Sequence, residues 1–248
     1  RSDDFGSTWL SLGWSGFSNN ITAAAIAENN SEIIAIASYG EINLSIDGGF
    51  SFSDISQGLP GQWITDIAFD PNNDDTIIVT YDTYWGSNNK VYVSQNLGQT
   101  WQNITHNLGS MPIRSVVIDH TENSTIYLGA EIGVFKKGMN ENSWELFNQN
   151  LPNTTVMELE VVYGSNSLRA TTWGRGVWEH SLAHRENYPS ILTTRISNQP
   201  TDTQPKEFVD QFERSVNSIT LVDIPNQEGS ISKEEFKRKL GDKNIQTA

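Results

Sequence analysis

Apolar and polar residues alternate in short runs along the first 183 residues, and Gly, Pro, Asn, Asp and Ser separate the runs. A period of two predicts half-buried β-strands, and the turn-forming residues between the runs predict antiparallel hairpins. We expect fifteen strands: 21–27, 32–38, 41–45 and 50–55; 64–69, 76–81, 90–94 and 100–104; 113–119, 125–129, 133–137 and 144–147; and 156–163, 168–172 and 176–181. This part of the chain is therefore predicted to be all-β.

One eight-residue pattern recurs before the last strand of a group, with copies 43 and 49 residues apart. It reads Ser-x-Asp/Asn-x-Gly-x-Ser/Thr-aromatic. Its defining residues are Ser2, Asp4, Gly6, Thr8 and Trp9; Ser45, Asp47, Gly49, Ser51 and Phe52; and Ser94, Asn96, Gly98, Thr100 and Trp101. A degraded fourth copy puts Lys137 at the Ser position and Trp144 at the aromatic position, and a fifth register falls on His180. Repeats of 40–50 residues that hold several strands each are typical of propeller blades.

Each residue type in the pattern has a physical role in a tight turn. An Asp or Asn side chain can accept hydrogen bonds from backbone amides, and Gly supplies a positive φ. The Thr-aromatic pair suits the start of a strand, because β-branched and aromatic residues favour extended structure. The pattern is therefore interpreted as a structural turn that joins two strands.

The repeated pattern resembles the Asp-box, or BNR repeat, of the β-propeller group that includes sialidases, sortilins and xyloglucanase-like proteins. Two Leu-Pro corners, at 58–60 and 150–152, and the segment Thr172-Trp-Gly-Arg-Gly-Val-Trp178 are similar to exported Asp-box proteins of Bacteroidota. The resemblance covers residues 1–183 and implies four-stranded antiparallel blades, with Trp9, Phe52 and Trp101 packing between them. About four blades are expected, as the C-terminal part of a larger ring that begins inside a blade. The alternative is a four-blade ring in which 7–12 completes the last blade.

Composition predicts a boundary near residue 185, since all eight Trp precede it. We expect a propeller over 1–185, a linker or extra strand over 186–204, and a helical hairpin over 205–248. The loop of that hairpin resembles a degraded EF-hand, with Asn226, Glu228, Ser232 and Glu235 as possible calcium ligands. Ile224 stands where that family has Asp, so a capped helical hairpin without metal is the alternative. No other cofactor is expected.

The net charge of −14 argues against nucleic acid and against anionic membrane surfaces, which both attract basic proteins. No apolar run approaches the roughly 20 residues that span a bilayer, so membrane insertion is not expected. The chain has no Cys, which excludes disulfides and thiol chemistry. The resemblance implies an exported bacterial protein in an extracellular or cell-surface location.

Strand direction predicts where a ligand would bind. The repeated turns and the first hairpin turn of each blade share one face, and the second hairpin turns and the loops between blades share the other. Exposed aromatic and cationic residues on that second face are the candidate ligand-binding residues: Trp63, Tyr84, Trp85, Trp173 and Arg175. Trp14, Phe17 and His106 are expected on the same face. Aromatic rings of this kind stack on sugars or anchor protein partners.

No catalytic constellation stands out. The Arg-Ile-Pro motif of sialidases is absent. Xyloglucanase-like glycosidases use two carboxylates, and the candidates Asp66, Asp70, Asp119, Glu158 and Glu160 have no spacing that selects a pair. We therefore expect a non-catalytic propeller that binds a glycan or a protein. The alternatives are a glycoside hydrolase with catalytic residues partly in further blades, and a subunit of a surface complex docked by its C-terminal tail.

Overall fold

The computed structural model describes residues 1–2, 4–12, 16–17, 20–84, 88–121 and 124–183. These residues form fifteen strands: β1 (Ala23–Ile26), β2 (Ile34–Ser38), β3 (Glu41–Ser45), β4 (Ser53–Asp54), β5 (Ile64–Asp70), β6 (Asn73–Tyr81), β7 (Val91–Ser94), β8 (Gln102–Asn103), β9 (Ile113–Ile118), β10 (Thr125–Ala130), β11 (Gly133–Gly138), β12 (Glu145–Leu146), β13 (Val156–Val162), β14 (Ser167–Thr172) and β15 (Gly176–Ser181). All fifteen predicted strands are present, and no helix occurs within these ranges. The predicted linker and helical hairpin lie outside the described residues.

The strands form four antiparallel sheets, here called blades 1 to 4: β1–β4, β5–β8, β9–β12 and β13–β15. Within each blade, neighbouring strands in sequence are neighbours in space, as short hairpin connections require. The fourth strands are only two residues long, shorter than predicted. Strand β6 begins earlier than predicted, at Asn73.

The blades stack face to face, so inner sheets are covered on both sides. Tyr127 and Leu128 are consecutive in β10 and point to opposite faces, yet both are fully buried. Leu128 packs in the apolar cluster shared with blade 2, and Tyr127 packs in the cluster shared with blade 4. Burial of apolar area on both faces of each sheet is the main stabilising contribution.

The innermost strands β1, β5, β9 and β13 follow one another around a common axis. Each of these inner strands packs on the next one, but β13 does not pack on β1 in the same way. The four blades therefore form an open arc in the described part of the chain. At one end of the axis, Glu28 of blade 1 accepts a 2.6 Å hydrogen bond from the Tyr163 hydroxyl of blade 4. Its other carboxylate oxygen lies 3.0 Å from Nε2 of His120, which follows the inner strand of blade 3.

The three repeated turns have the same hydrogen-bond pattern. The Oγ atoms of Ser2, Ser45 and Ser94 accept the N–H of the Gly four residues later, at 2.7, 2.8 and 2.8 Å. Oδ1 of the Asp or Asn accepts the N–H of the following Ser or Thr, at 2.8, 2.9 and 2.9 Å. Backbone N–H and hydroxyl donors of Thr8 lower the pKa of Asp4 to about 2, and the hydroxyl and N–H of Ser51 do the same for Asp47. In all three turns these side chains hold the backbone.

The aromatic residues after the turns differ in their surroundings. The Trp101 indole packs against blade 1, and the Trp144 indole is buried against blade 2. Phe52 is half-buried. Trp9 is 77% exposed, so the expectation that it packs between blades is wrong for this structure. The reason is that no sheet of the described residues covers its ring.

The segment that contains Trp9 also tests the alternative of a four-blade ring in which residues 7–12 complete blade 4. Arg1 and Leu10 exchange backbone hydrogen bonds of 2.7 and 2.8 Å. Leu12 packs over Gly49 of blade 1, and no described residue of 7–12 belongs to a strand or pairs with β15. The segment therefore does not complete blade 4 of the same chain.

The degraded fourth turn replaces the Ser hydroxyl by an ammonium group. Lys137 is 1% exposed, and its Nζ donates to the carbonyls of Gly138, Met139 and Glu141 at 3.1, 3.1 and 3.0 Å. The same ammonium lies 5.4 Å from the Trp144 ring centroid, within cation–π range. Burial lowers the pKa of Lys137. The Lys137 ammonium therefore stabilises this turn as a hydrogen-bond donor, whereas a Ser oxygen stabilises each of the other three turns as an acceptor.

Candidate binding face

The two ends of the blades differ in what they present. The repeated turns lie beside the first hairpin turns, since the N–H of Gly48 donates to the Glu32 carbonyl and that of Leu97 to the Asp75 carbonyl, both at 2.9 Å. The opposite end carries the second hairpin turns and the loops that enter each blade. We call this end the loop face.

Three of the predicted ligand-binding aromatic residues are exposed on the loop face. Trp63, Tyr84 and Trp173 have 47, 58 and 73% of their surface exposed. Arg175 is exposed beside Trp173, and its carbonyl accepts a 2.8 Å hydrogen bond from Nε1 of Trp178. Trp85 lies outside the described residues, so its role stays a prediction.

Of the additional residues expected on this face, Phe17 is only 3% exposed, so it cannot contact a ligand and that expectation is wrong. Its ring is part of the protein interior. The His106 side chain is exposed overall. Partial desolvation of its ring lowers its pKa, and the nearby positive charge of Lys137 lowers it further. Trp14 lies outside the described residues.

Trp63 is fixed between blades 1 and 2. It forms an isolated antiparallel bridge with Tyr39, which lies in the second hairpin turn of blade 1. The two rings meet edge to face, with centroids 5.9 Å apart. The Trp63 carbonyl also accepts a 3.1 Å hydrogen bond from the N–H of Asp82. These contacts position an exposed aromatic pair on rigid backbone.

A polar network continues from Asp82 toward blade 3. The guanidinium of Arg114, on the inner strand of blade 3, donates to the Asp82 carboxylate. The hydroxyl of Tyr84 donates to the carboxylate of Glu131 in the second hairpin turn of blade 3, and this hydrogen bond raises the pKa of Tyr84. The buried Lys90 donates to the Thr83 carbonyl, and burial lowers its pKa. The loop of blade 2 is therefore fastened to blade 3 by charged groups.

The same face continues to blade 4 through the loop that enters it. The Thr155 hydroxyl donates to the Glu131 carbonyl at 3.4 Å, and the N–H of Trp173 donates to the Thr155 carbonyl at 2.8 Å. The Thr154 hydroxyl donates to the Trp173 carbonyl at 3.2 Å. Trp63, Tyr84 and Trp173 are thus joined by one continuous series of contacts across four blades.

Nearer the axis, polar side chains connect the inner strands. Asp66 and Ser115 are the third residues of β5 and β9. Oδ2 of Asp66 accepts the N–H of Val116 in the next blade at 2.8 Å, and Oγ of Ser115 accepts the N–H of Leu159 in the blade after that at 3.1 Å. The same side-chain position therefore bonds blade 2 to blade 3 and blade 3 to blade 4.

Glu158 is the third residue of β13, and it completes this series with a second carboxylate. The hydroxyl side chain of Ser115 lies near the carboxyl groups of both Asp66 and Glu158, and it favours the charged form of each. Burial raises the pKa of Asp66, and burial together with the charge of Asp66 raises the pKa of Glu158. The structure thus brings together two of the five carboxylates that sequence spacing could not pair.

The other candidate carboxylates have structural roles or lie on the surface. Asp119 is fully buried and accepts hydrogen bonds from the N–H groups of Thr121 and Thr125. Asp70 is buried and accepts from the Ser124 hydroxyl at 2.9 Å. Glu160 is exposed, 3.9 Å from Arg169.

Several residues of the loop face were missed by sequence reasoning. Asp82, Arg114 and Glu131 lie far apart in the sequence and carry no motif. Alternation could have identified Arg114, because a cation at an inner-strand position predicts a nearby carboxylate. Its partner depends on how blades 2 and 3 stack, which no local pattern encodes.

No group of three or more His, Cys, Asp or Glu that could hold a metal occurs among the residues that the structure describes. The predicted calcium ligands at 226–235 lie outside them. In the same described ranges, no helix is long and apolar enough to cross a membrane.

Comparison with solved structures identifies the architecture. A GH74 enzyme of Niastella koreensis is similar to 64% of this chain, with a TM-score of 0.51 and 18% identity, over 29% of its own length. The GH74 xyloglucanase from Xanthomonas campestris is similar to 66% of the chain, with a TM-score of 0.52 and 13% identity, over 28% of its length. This chain is a β-propeller. It spans less than a third of either enzyme.

An auxiliary nutrient binding protein from Bacteroides thetaiotaomicron is similar to 64% of this chain, with a TM-score of 0.49 and 14% identity, over 36% of its own length. No protein-family profile matches the propeller sequence. No curated protein matches it by sequence either. At these identities the comparisons show the fold.

Proposed function

We propose that this chain is a non-catalytic binding module of an exported or cell-surface protein, and that its loop face binds carbohydrate. The observation that carries the proposal is the row of exposed aromatic rings of Trp63, Tyr84 and Trp173, which a continuous series of contacts holds on one face. Flat aromatic rings fixed on rigid backbone suit stacking on the apolar faces of sugars and lose little conformational entropy on binding.

The polar groups between the rings support the same ligand class. Along the face, Arg114 offers hydrogen-bond donors and the carboxylates of Asp82 and Glu131 offer acceptors. Thr155 adds a hydroxyl, which can do both. A sugar presents closely spaced hydroxyl groups that both donate and accept, so a surface with both kinds of partner matches it. The net charge of −14 disfavours polyanionic ligands.

A glycan array followed by calorimetry on the positive glycan tests the proposal. Trp173→Ala and Trp63→Ala are expected to weaken binding about tenfold each, or about 1.4 kcal/mol. Trp9→Ala is the matched control, because Trp9 is exposed to a similar extent, 77 against 73%, but follows a repeated turn on the opposite side. Equal loss in the control, or no glycan bound, would reject the carbohydrate assignment. Capture of a polypeptide that depends on Trp173 would assign the same face to a protein partner.

A second candidate function is glycoside hydrolysis, and the coupled Asp66 and Glu158 carboxyls favour it. A carboxyl with a raised pKa is suited to act as a general acid. However, both oxygens of Asp66 accept backbone N–H groups, from Ile67 and Val116 at 2.8 Å each, which is a structural role. Release of reducing sugar that disappears in Glu158→Gln would establish hydrolysis and replace the non-catalytic proposal.

A further inference from the structure

One cationic side chain differs from the others in having no partner. Seven Arg and Lys residues belong to the described part of the chain. Six are bonded to an acceptor: Arg1 to Glu32, Arg114 to Asp82, Lys136 to Glu145, Arg169 to Glu179, and Lys90 and Lys137 to backbone carbonyls. Arg175 is the seventh. Among the described residues its guanidinium has no hydrogen bond or ion pair, although Asp and Glu outnumber Lys and Arg 30 to 16 in the chain.

Arg175 lies in the same short turn as Trp173, between β14 and β15. The turn has three residues, since Thr172 and Gly176 pair across it. The Thr172 hydroxyl donates to the Gly176 carbonyl at 2.7 Å, and Nε1 of Trp178 donates to the Arg175 carbonyl at 2.8 Å. The backbone that carries the indole and the guanidinium is therefore fixed before a ligand binds.

The surface between these two side chains is open. Gly174 separates them, and a Cβ added to it would meet no atom of the described residues within 4 Å. The Trp173 ring is 73% exposed, and Arg175 is exposed beside it. Residues i and i+2 have Cα atoms at most about 7 Å apart, so a group that stacks on the indole lies within reach of the long Arg175 side chain.

We propose that the turn 173–175 makes the loop face specific for a hexuronate, a sugar with a carboxylate on its ring; this inference rests on the carbohydrate binding proposed above. The Trp173 ring covers the C–H face of the sugar. The Arg175 guanidinium donates two parallel hydrogen bonds to the carboxylate of the same sugar, a geometry that suits Arg better than Lys. A neutral sugar would stack on the indole but leave the guanidinium without a charged partner.

The rest of the loop face favours a glycan with a single carboxylate. The carboxylates of Asp82 and Glu131 lie along the same face and are already bonded to Arg114 and Tyr84. Further carboxylates on the ligand would be repelled by these two and by the net charge of −14. The expected ligand is therefore a largely neutral glycan that carries one uronate at an end or on a branch.

Methyl β-glucuronide and methyl β-glucoside are the probes, with the complete chain as receptor, because they differ only in a carboxylate against a hydroxymethyl group. The galacturonide and galactoside form a second pair with the C4 hydroxyl inverted. NMR titration follows the indole N–H signal of Trp173. The uronide of at least one pair is expected to bind about fivefold more tightly than its neutral partner. Its methyl ester keeps the shape without the charge and is expected to bind like the neutral sugar.

Arg175→Gln removes the charge and is expected to abolish the preference for the uronide while binding of the neutral sugar changes little. Arg169→Gln is the matched control, since Arg169 is an exposed arginine of the same blade but pairs with Glu179 at 2.9 Å. This control is expected to keep the preference. Melting temperatures of both variants are expected to stay close to that of the native chain, because both sites are exposed.

Equal binding of uronides and neutral sugars, lost in Trp173→Ala, would overturn the uronate assignment and leave carbohydrate binding standing. A preference that persists in Arg175→Gln, or that Arg169→Gln removes as well, would overturn the role of Arg175. Displacement of the uronide by acetate at the same concentration would show a simple anion site and overturn the sugar assignment. Absence of a shift with all four glycosides would also overturn it, and the glycan array then decides carbohydrate binding separately.

Discussion

The carboxylate of Asp66 on the inner strand of blade 2 accepts the backbone N–H of Val116 on the inner strand of blade 3, at 2.8 Å. Its other oxygen accepts the N–H of Ile67 at 2.8 Å. A side chain thus substitutes for the ladder hydrogen bonds that two separate sheets do not exchange. Ser115 repeats the contact one blade later, which makes this position a connection between blades.

Asp66→Asn is expected to lower the free energy of unfolding by about 1–3 kcal/mol, because its amide group cannot accept both N–H donors and one is left unsatisfied. Urea denaturation measures this loss. Glu160→Gln is the control on an exposed carboxylate, where a change within about 0.5 kcal/mol is expected. Equal effects of the two substitutions would contradict the connecting role.

The raised pKa values of Asp66 and Glu158 predict a pH dependence of stability. The folded protein keeps protons on these groups at a pH where the unfolded chain has lost them. Their contribution to stability is therefore complete below pH about 4 and decreases as the pH rises through the raised values. Urea unfolding of the native chain and of the Asp66→Asn, Glu158→Gln double variant from pH 4 to 7 checks this. A native slope as shallow as that of the double variant would refute it.

The carboxyl of Asp47 is expected to titrate near pH 2, below its usual value of 3.8. The Ser51 hydroxyl and N–H stabilise the charged form, so this group stabilises the fold above pH about 4 and ceases to do so as the pH falls toward 2. Ser51→Ala removes the hydroxyl and should raise the pKa, as followed by carboxyl ¹³C NMR. An identical midpoint in that variant would show that the hydroxyl does not hold the charge.

Gly98→Val should destabilise the third repeated turn. Gly98 has φ +79°, and an added Cβ would approach Cδ1 and Cβ of Ile55 to 2.5 and 2.7 Å. Strain at positive φ costs about 1–3 kcal/mol, and overpacking adds about 1–3 kcal/mol. Gly58→Val is the control, since it has φ +96° but meets nothing within 4 Å. Thermal melting should fall in both and further in Gly98→Val; unchanged melting of Gly98→Val would reject the turn assignment.

Lys137→Met should be strongly destabilising although it exchanges a charge for an apolar group of similar size. Three carbonyls lose their donor, and an acceptor that is left without a partner costs about 1–3 kcal/mol where water cannot replace the ammonium. The neighbouring Lys136→Met is the control. Lys136 forms an ion pair with the exposed Glu145, a contact worth about 0–1 kcal/mol, and its Nζ lies 6.0 Å from the Phe147 ring centroid. Similar unfolding midpoints for the two variants in urea would show that the ammonium does not hold this turn.

Much of the fold could be predicted from the sequence, because its signals are local. Alternation gave each of the fifteen strands, and the repeat register placed Lys137 and His180 where the structure has the Ser positions of other blades. The fourth strands were predicted too long, since only two residues pair after each turn. Trp9 was predicted to pack between blades because it occupies the same position of the repeated pattern as Trp101, but packing needs an adjacent sheet as well as the aromatic residue.

The sequence by itself determined the strands, the turns and the blade repeat, because period-two alternation and the Ser-Asp-Gly pattern act over a few neighbouring residues. It also placed Trp63, Tyr84 and Trp173 at one end of the blades through strand direction. Only the tertiary structure decided which distant groups meet: Asp66 with Glu158 near Ser115, Tyr84 with Glu131, and Phe147 with the β15 edge. The angle and spacing at which blades stack set those distances, and that geometry comes from the summed packing of many buried side chains.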